Sequence, residues 1–181
     1  MPTIPSRLLA AAFICAAATA CSKPDSDAPV GPAVPRPALD LAIAYSTPEA
    51  AQRGMSDKTW LWTRSSGPAQ IHYSSGDGSD FVWMVGQRRI FRGEWKAEAT
   101  TDAAGNAVAQ VCLRYPGVNF GGLTSTWTCQ PAGTFFLEMQ QREGGNPLRF
   151  AGRTQALFVL TRTPANLAEV EARVASIEGL R

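Results

Sequence analysis

Short runs of alternating side chains, each closed by a glycine- or proline-rich turn, follow one another from Thr59 to Thr161. They limit the fold more than any other feature of the chain. Thr59–Thr63 places Trp60 and Trp62 on one face, and Gln70–Ser74 does the same for Ile71 and Tyr73. Phe81, Trp83 and Val85 alternate with Val82 and Met84, the pattern of a strand covered on both sides. Arg89–Ala97 turns Phe91 and Trp95 one way, with Gly93 between them. Val108–Tyr115, Thr124–Cys129, Thr134–Gln140 (Phe135, Leu137 and Met139 on a common face) and Leu157–Thr161 bring the total to about eight short strands. Turn residues separate them at Ser65-Ser66-Gly67-Pro68, Gly76-Asp77-Gly78, Gly105-Asn106, Pro116-Gly117, Gly121-Gly122 and Gly144-Gly145-Asn146-Pro147. Strands joined this way pair antiparallel. The fold class is therefore mainly β, an antiparallel barrel or sandwich. A closed or nearly closed barrel is the first expectation, because closure removes exposed edges.

Helices are expected only at the two ends of this domain. Thr47 caps, Pro48 occupies the first helical position and Glu49 lies near the positive end of the dipole, which predicts a short N-terminal helix over about 48–53, ended by Gly54. Thr163-Pro164 opens a C-terminal amphipathic helix by the same logic. Its stripe of Leu167, Val170, Val174, Ile177 and Leu180 predicts packing on the domain's own sheet, with a partner-binding helix as the alternative.

The first twenty residues read as an address. Arg7 is the only charge, and Leu8–Ala20 is an unbroken run of apolar and small residues. That is too short for a membrane span of roughly 20 residues and fits a secretory signal peptide over 1–20. Ala18-Thr19-Ala20-Cys21 resembles the lipobox of bacterial lipoproteins, in which the cysteine is acylated; Ala18 stands where Leu is commonest, so ordinary cleavage after Ala20 is the alternative. Ser22 rather than Asp after the cysteine points to the outer membrane, facing the periplasm. Residues 21–40 form the lipidated, Pro-rich tether, which has too little apolar surface to offset its ordering entropy. A single β-rich domain with its terminal helix takes 41–181. Cys15 leaves with the signal and Cys21 carries lipid, so Cys112 and Cys129 remain as a pair in an oxidising compartment, where a disulfide is expected.

Composition narrows the functions. The chain has 181 residues, is 45% hydrophobic and 18% charged, and suits one domain. A net charge of +2 argues against nucleic acid as a partner. One histidine excludes every motif that needs two, and no phosphate-binding glycine loop is present. His72, Ser74, Asp77 and Asp80 invite comparison with a catalytic triad. His72 and Ser74 share a face, but Asp77 and Asp80 sit in or beside a turn, and a triad also needs a carboxylate on the far imidazole nitrogen. Asp77-Gly78-Ser79-Asp80 lacks the further acids of a calcium loop and reads as a hairpin turn. No catalytic residue, metal or cofactor is expected. Arg88, Arg89 and Arg92 form a basic cluster suited to phosphate or carboxylate groups of an envelope polymer, or else a solvated strand end. Trp60, Trp62, Trp83, Trp95 and Trp127 either line a ligand cavity or fill the core.

Arg92-Gly93-Glu94-Trp95, Val111-Cys112-Leu113-Arg114-Tyr115 and Trp127-Thr128-Cys129 together resemble the core of a family of small secreted bacterial proteins, a domain of unknown function. In that family a Gly-x-Trp strand precedes a Cys-Leu-x-Tyr strand and a second Cys. The resemblance spans about 58–140, with Asp77-Gly78 at a loosely matching position. It implies a small β domain with one disulfide, and neither an activity nor a catalytic residue. Two readings of function follow. One is a membrane-tethered envelope lipoprotein with a binding or accessory domain, its partner an envelope polymer or a protein. The other is a lipocalin-like carrier of a small apolar ligand. An interior hollow of roughly 300 Å³ or more would favour the carrier, and a filled interior the binding domain.

Overall fold

The computed structural model describes residues 36–63 and 67–179. The expected signal peptide, Cys21, most of the tether and Leu180 lie outside the described residues. Two helices come first, α1 (Arg36–Ala44) and α2 (Pro48–Met55). Six strands follow: β1 (Lys58–Trp62), β2 (Gln70–Ser74), β3 (Ser79–Met84), β4 (Ile90–Thr101), β5 (Ala107–Arg114) and β6 (Thr128–Pro131). A short helix α3 (Ala132–Glu138), strand β7 (Met139–Gly144) and helix α4 (Leu167–Gly179) complete the order.

The domain is mainly β, as the alternation predicts. Seven antiparallel strands form one sheet in the order β6-β5-β4-β3-β2-β1-β7, curled into a half-barrel. Strands β1 to β6 are an up-and-down meander. β7 returns to pair with β1, so β6 and β7 form the two edges, and α3 is the segment of chain that links them. Phe135 and Phe136 of α3 are both buried in the concave core.

That core holds Trp60, Trp62, Val82, Met84, Phe91, Trp95, Val111 and Leu113 from the strands, with Ala51 and Met55 from α2. A second core lies on the convex face of β1–β3. There Leu61, Ile71, Tyr73, Phe81 and Trp83 meet Leu148, Phe150, Phe158 and Leu160 of the C-terminal segment, and Leu167, Val170 and Val174 of α4. β3 is thus covered on both sides, as its pattern predicts. Burying each of the three α4 side chains contributes about 1.5–3 kcal/mol, so this helix packs on its own sheet.

Several boundaries differ from the sequence expectation, each for a physical reason. α1 opens at Arg36, inside the stretch read as tether. Proline is tolerated in a first helical turn, and Leu41 and Tyr45 give α1 a face that packs on the concave core. Gly54 does not end α2. It lies within the helix because a Cβ there would meet the Phe136 ring at 2.6 Å and the Tyr45 ring at 2.7 Å. The residue that turns the chain is Asp57, at φ 54°. The run 134–140 is not one strand: Phe135 and Phe136 are both inside while Leu137 is 46% exposed, which is helical rather than alternating. Residues 157–161 alternate as expected, with Phe158 and Leu160 buried, but form no strand. They cross the convex face, held by single bonds such as Gly86 N to Leu160 O at 2.8 Å. Among the described residues the strand count is therefore seven. α4 starts at Leu167 rather than Pro164, because Asn166 is the cap and its Oδ1 accepts from Glu169 N at 2.8 Å.

β7 and α4 also bring two acids together. Gln141 accepts from Leu167 N at 2.7 Å, and four residues further along α4 Glu171 meets Glu143 of β7. Burial, then the Glu143 carboxylate, pushes the Glu171 carboxyl up to about 7 from its ordinary 4.5. A raised folded-state value means that the proton is held more tightly when α4 is docked. Its stabilising contribution is complete below pH 4.5 and is lost as pH rises toward about 7. Melting temperature should therefore fall between pH 5 and pH 8, and Glu171→Gln should flatten that part of the curve. Superimposable wild-type and Glu171→Gln profiles would contradict this assignment.

Candidate functional site

The sequence of β2, Gln-Ile-His-Tyr-Ser, has apolar residues on one face and polar ones on the other. In the fold both faces are buried, and Gln70, His72 and Ser74 point into the concave core. The polar face is satisfied by one carboxylate. Asp80 pairs with Ser74 in the β2–β3 register, and Ser74 Oγ donates to its Oδ1 at 2.6 Å. Its Oδ2 accepts from the Tyr115 hydroxyl at 2.6 Å and faces His72 Nδ1 at 2.9 Å. Trp60 Nε1 donates to Ser74 Oγ at 2.9 Å. His72, Ser74 and Asp80 are fully buried.

The far side of the imidazole is also occupied. Gln70 Nε2 donates to the Gly121 carbonyl at 2.7 Å, which turns Gln70 Oε1 toward His72 Nε2 at 3.0 Å. Both ring nitrogens therefore have partners: Asp80 Oδ2 and, at 3.2 Å, the Tyr115 hydroxyl at Nδ1, and Gln70 Oε1 at Nε2. Trp60 lies flat on this ring, with centroids 3.8 Å apart and planes 9° apart. The result is a buried His72–Asp80 pair whose remaining bonding capacity is taken up by Ser74, Tyr115 and Gln70.

Gly93 makes room for this arrangement. A Cβ there would lie 2.4 Å from Tyr115 Cδ1, so only glycine lets the ring cross β4 to reach Asp80. Trp95, two residues on, donates from Nε1 to Ser75 O at 2.8 Å and ties β4 to the β2–β3 turn. The Gly-x-Trp and Cys-Leu-x-Tyr segments singled out in the sequence thus meet at Asp80. No sequence motif signals Asp80 and Tyr115 as partners of His72. Asp80 is the second residue of β3 and not a turn residue.

This is not a nucleophile–base arrangement. The carboxylate lies between Ser74 and His72, Ser74 donates to Asp80 rather than to the imidazole, and His72 Nε2 is occupied by Gln70. Asp77 is separate: its Oδ1 accepts from Ser79 N at 2.8 Å within the hairpin turn. Beside the pair is a cavity of about 20 Å³, bordered by Trp62, Gln70, His72, Tyr115, Gln130 and Phe135. That volume holds about one water molecule. Gln130 Oε1 is buried there without a partner among the described residues, and a water donating to it would satisfy it.

The tryptophans share no lining. Trp60, Trp62 and Trp95 belong to the concave core, Trp83 to the convex one against Phe150 and Phe158. Trp127 lies on the outside, with Lys96 Nζ 4.9 Å and Arg114 Cζ 4.6 Å from its ring. Of the five, only Trp62 borders the small cavity. Arg88, Arg89 and Arg92 do not converge. Arg88 donates to Ala156 O, Arg89 lies over Phe91 and Arg92 over Phe81. Cys112 and Cys129 are directly opposed in the β5–β6 register and form the expected disulfide, with Cα atoms 4.0 Å apart. Their proximity to Glu98 is therefore no metal site. No family model, no curated protein and no solved structure matches the chain.

Proposed function

We propose that the protein is a membrane-tethered lipoprotein of the bacterial envelope whose β domain is a binding or accessory module. The observation that carries the choice of module over carrier is the filled interior. A site for a small apolar ligand occupies roughly 300 Å³ or more, and the concave core leaves about 20 Å³. Larger hollows, of about 360 and 370 Å³, are open depressions on the surface, where a partner rather than an enclosed ligand would sit. The disulfide is compatible with a compartment outside the cytoplasm. Anchoring rests on Cys21 directly after Ala18-Thr19-Ala20. Two or more acyl chains hold a protein stably where one does not, since each buried CH₂ contributes about 0.8 kcal/mol. Metabolic labelling with a palmitate analogue should mark the wild-type chain and leave Cys21→Ser unmarked. Equal labelling of the two would remove the anchor from this reading. Ligand extraction from the purified protein into organic solvent should give no stoichiometric apolar compound, and recovery of one would revive the carrier.

A further inference from the structure

Three cations from three elements surround one of the open depressions. Arg53 of α2, Lys58 of β1 and Arg142 of β7 line a hollow of about 360 Å³ together with Ala44 and Tyr45, at the end of α1. No carboxylate lines it, and none of the three forms an ion pair among the described residues. Arg142 is nevertheless held in place. It donates to Gly54 O at 3.2 Å and to the Tyr45 hydroxyl at 2.7 Å, and its guanidinium lies 5.1 Å from the centre of the Phe136 ring. Those partners are neutral, so the charge stays available to an anion. The acids nearest in sequence are otherwise placed. Asp57 accepts from the Tyr73 hydroxyl at 2.6 Å, Glu143 faces Glu171, Asp40 is exposed on α1, and Glu49 borders a neighbouring depression that Arg53 also lines.

The adjoining helix adds apolar groups that its own fold does not cover. Leu41 and Tyr45 turn inward, while Leu39 and Ile43, one turn apart on another face, are 51% and 65% exposed. α1 is also the first described element after Cys21. The 14 residues between Cys21 and Arg36 reach at most about 50 Å, so an acyl anchor at Cys21 would keep this side of the domain within reach of the bilayer. Cations without an ion pair and exposed aliphatic side chains on the adjoining helix are the two components of binding to an anionic lipid surface.

We propose that this face docks on an anionic phospholipid surface, with Arg53, Lys58 and Arg142 receiving headgroup phosphates and Leu39 and Ile43 entering the interface. The proposal rests on the reading of Cys21 as the anchor that brings the domain to the bilayer. The test uses the processed chain carrying Cys21→Ser, so that no acyl group contributes, with vesicles of phosphatidylcholine alone or with about 30% phosphatidylglycerol. Each basic residue near an anionic surface is worth about fivefold in affinity. Wild type should therefore bind the anionic vesicles at least about tenfold more tightly than the neutral ones, and added salt should weaken that binding. Arg53→Gln with Lys58→Gln should reduce the affinity roughly 20-fold, and Leu39→Ser with Ile43→Ser should reduce it as well, both at unchanged melting temperature. Equal binding to the two vesicle types would overturn the proposal, as would a charge variant that binds like wild type. So would uptake of millimolar inorganic phosphate, measured calorimetrically, without vesicle binding. Acyl labelling of the unmodified chain is scored separately. Labelling with charge-independent vesicle binding sinks the docking face alone, and charge-dependent binding without labelling sinks the anchor alone.

Discussion

Asp80→Ala is expected to destabilise the domain by about 3–5 kcal/mol, a large part of the 5–15 kcal/mol that holds an ordinary domain folded. The substitution removes the acceptor of three donors at once: Ser74 Oγ, the Tyr115 hydroxyl and His72 Nδ1. It also leaves the imidazole buried between Trp60 and Gln70 without its carboxylate partner. Asp80→Asn keeps the shape but not the bonding, because its amide nitrogen would face a donor on one side. Pairing Asp80→Ala with His72→Leu should recover part of the loss, since removing both partners costs less than stranding one. Urea denaturation of wild type, Asp80→Ala, His72→Leu and the double variant gives the comparison directly. Equal midpoints for wild type and Asp80→Ala would falsify the His72–Asp80 pair as a structural element, and a double variant as unstable as the sum of the two singles would show that His72 and Asp80 act independently.

The reason this cluster was hard to foresee lies in β2. Alternation tells which residues share a face, and Ile71 and Tyr73 do share one. It does not tell whether the opposite face meets water. With His72, Ser74 and Gln70 on that face, the pattern reads as a half-buried strand. The C-terminal segment covers the Ile71–Tyr73 face from more than seventy residues away in sequence, and the concave core covers the polar face. Asp80 reads as a turn residue in the sequence because Asp77-Gly78 precedes it so closely. Only the register, in which Asp80 opposes Ser74, places its carboxylate among the β2 side chains.

Elsewhere the local pattern carried further. Trp60 and Trp62, Phe91 and Trp95 share faces as the period of two requires, and Thr47 caps α2 with its hydroxyl accepting from Ala50 N at 3.2 Å. The segment 134–140 is ambiguous in sequence because Phe135, Leu137 and Met139 fit both periods over so short a run. What decides between them is tertiary: α3 is the chain between the two sheet edges, and its helical turn directs Phe135 and Phe136 together into the concave core. α1 was hidden by Pro35 and Pro37, although proline is well placed in a first helical turn.

Replacing Cys112 and Cys129 together by alanine should lower stability by about 3 kcal/mol, or roughly 10 °C in melting temperature. The pair closes a loop with a sequence separation of 17, and an open loop of that size gives the unfolded chain more conformations to lose. A second effect is specific to this fold. Tyr115, whose hydroxyl reaches Asp80, lies inside the closed loop, as do the Gly121 carbonyl that orients Gln70 and the buried Leu123. Without the bridge, β6 is held by a ladder of only four residue pairs, and the loop segment that borders His72 loses its fixed end. Amide exchange should therefore quicken at Tyr115 and Leu123 more than at the β1–β2 ladder. Dithiothreitol should reproduce the shift in wild type and leave the double-alanine protein unchanged. A variant that melts with wild type, or exchange that quickens uniformly across the sheet, would mean that the strand pairing alone holds the loop over the His72–Asp80 pair.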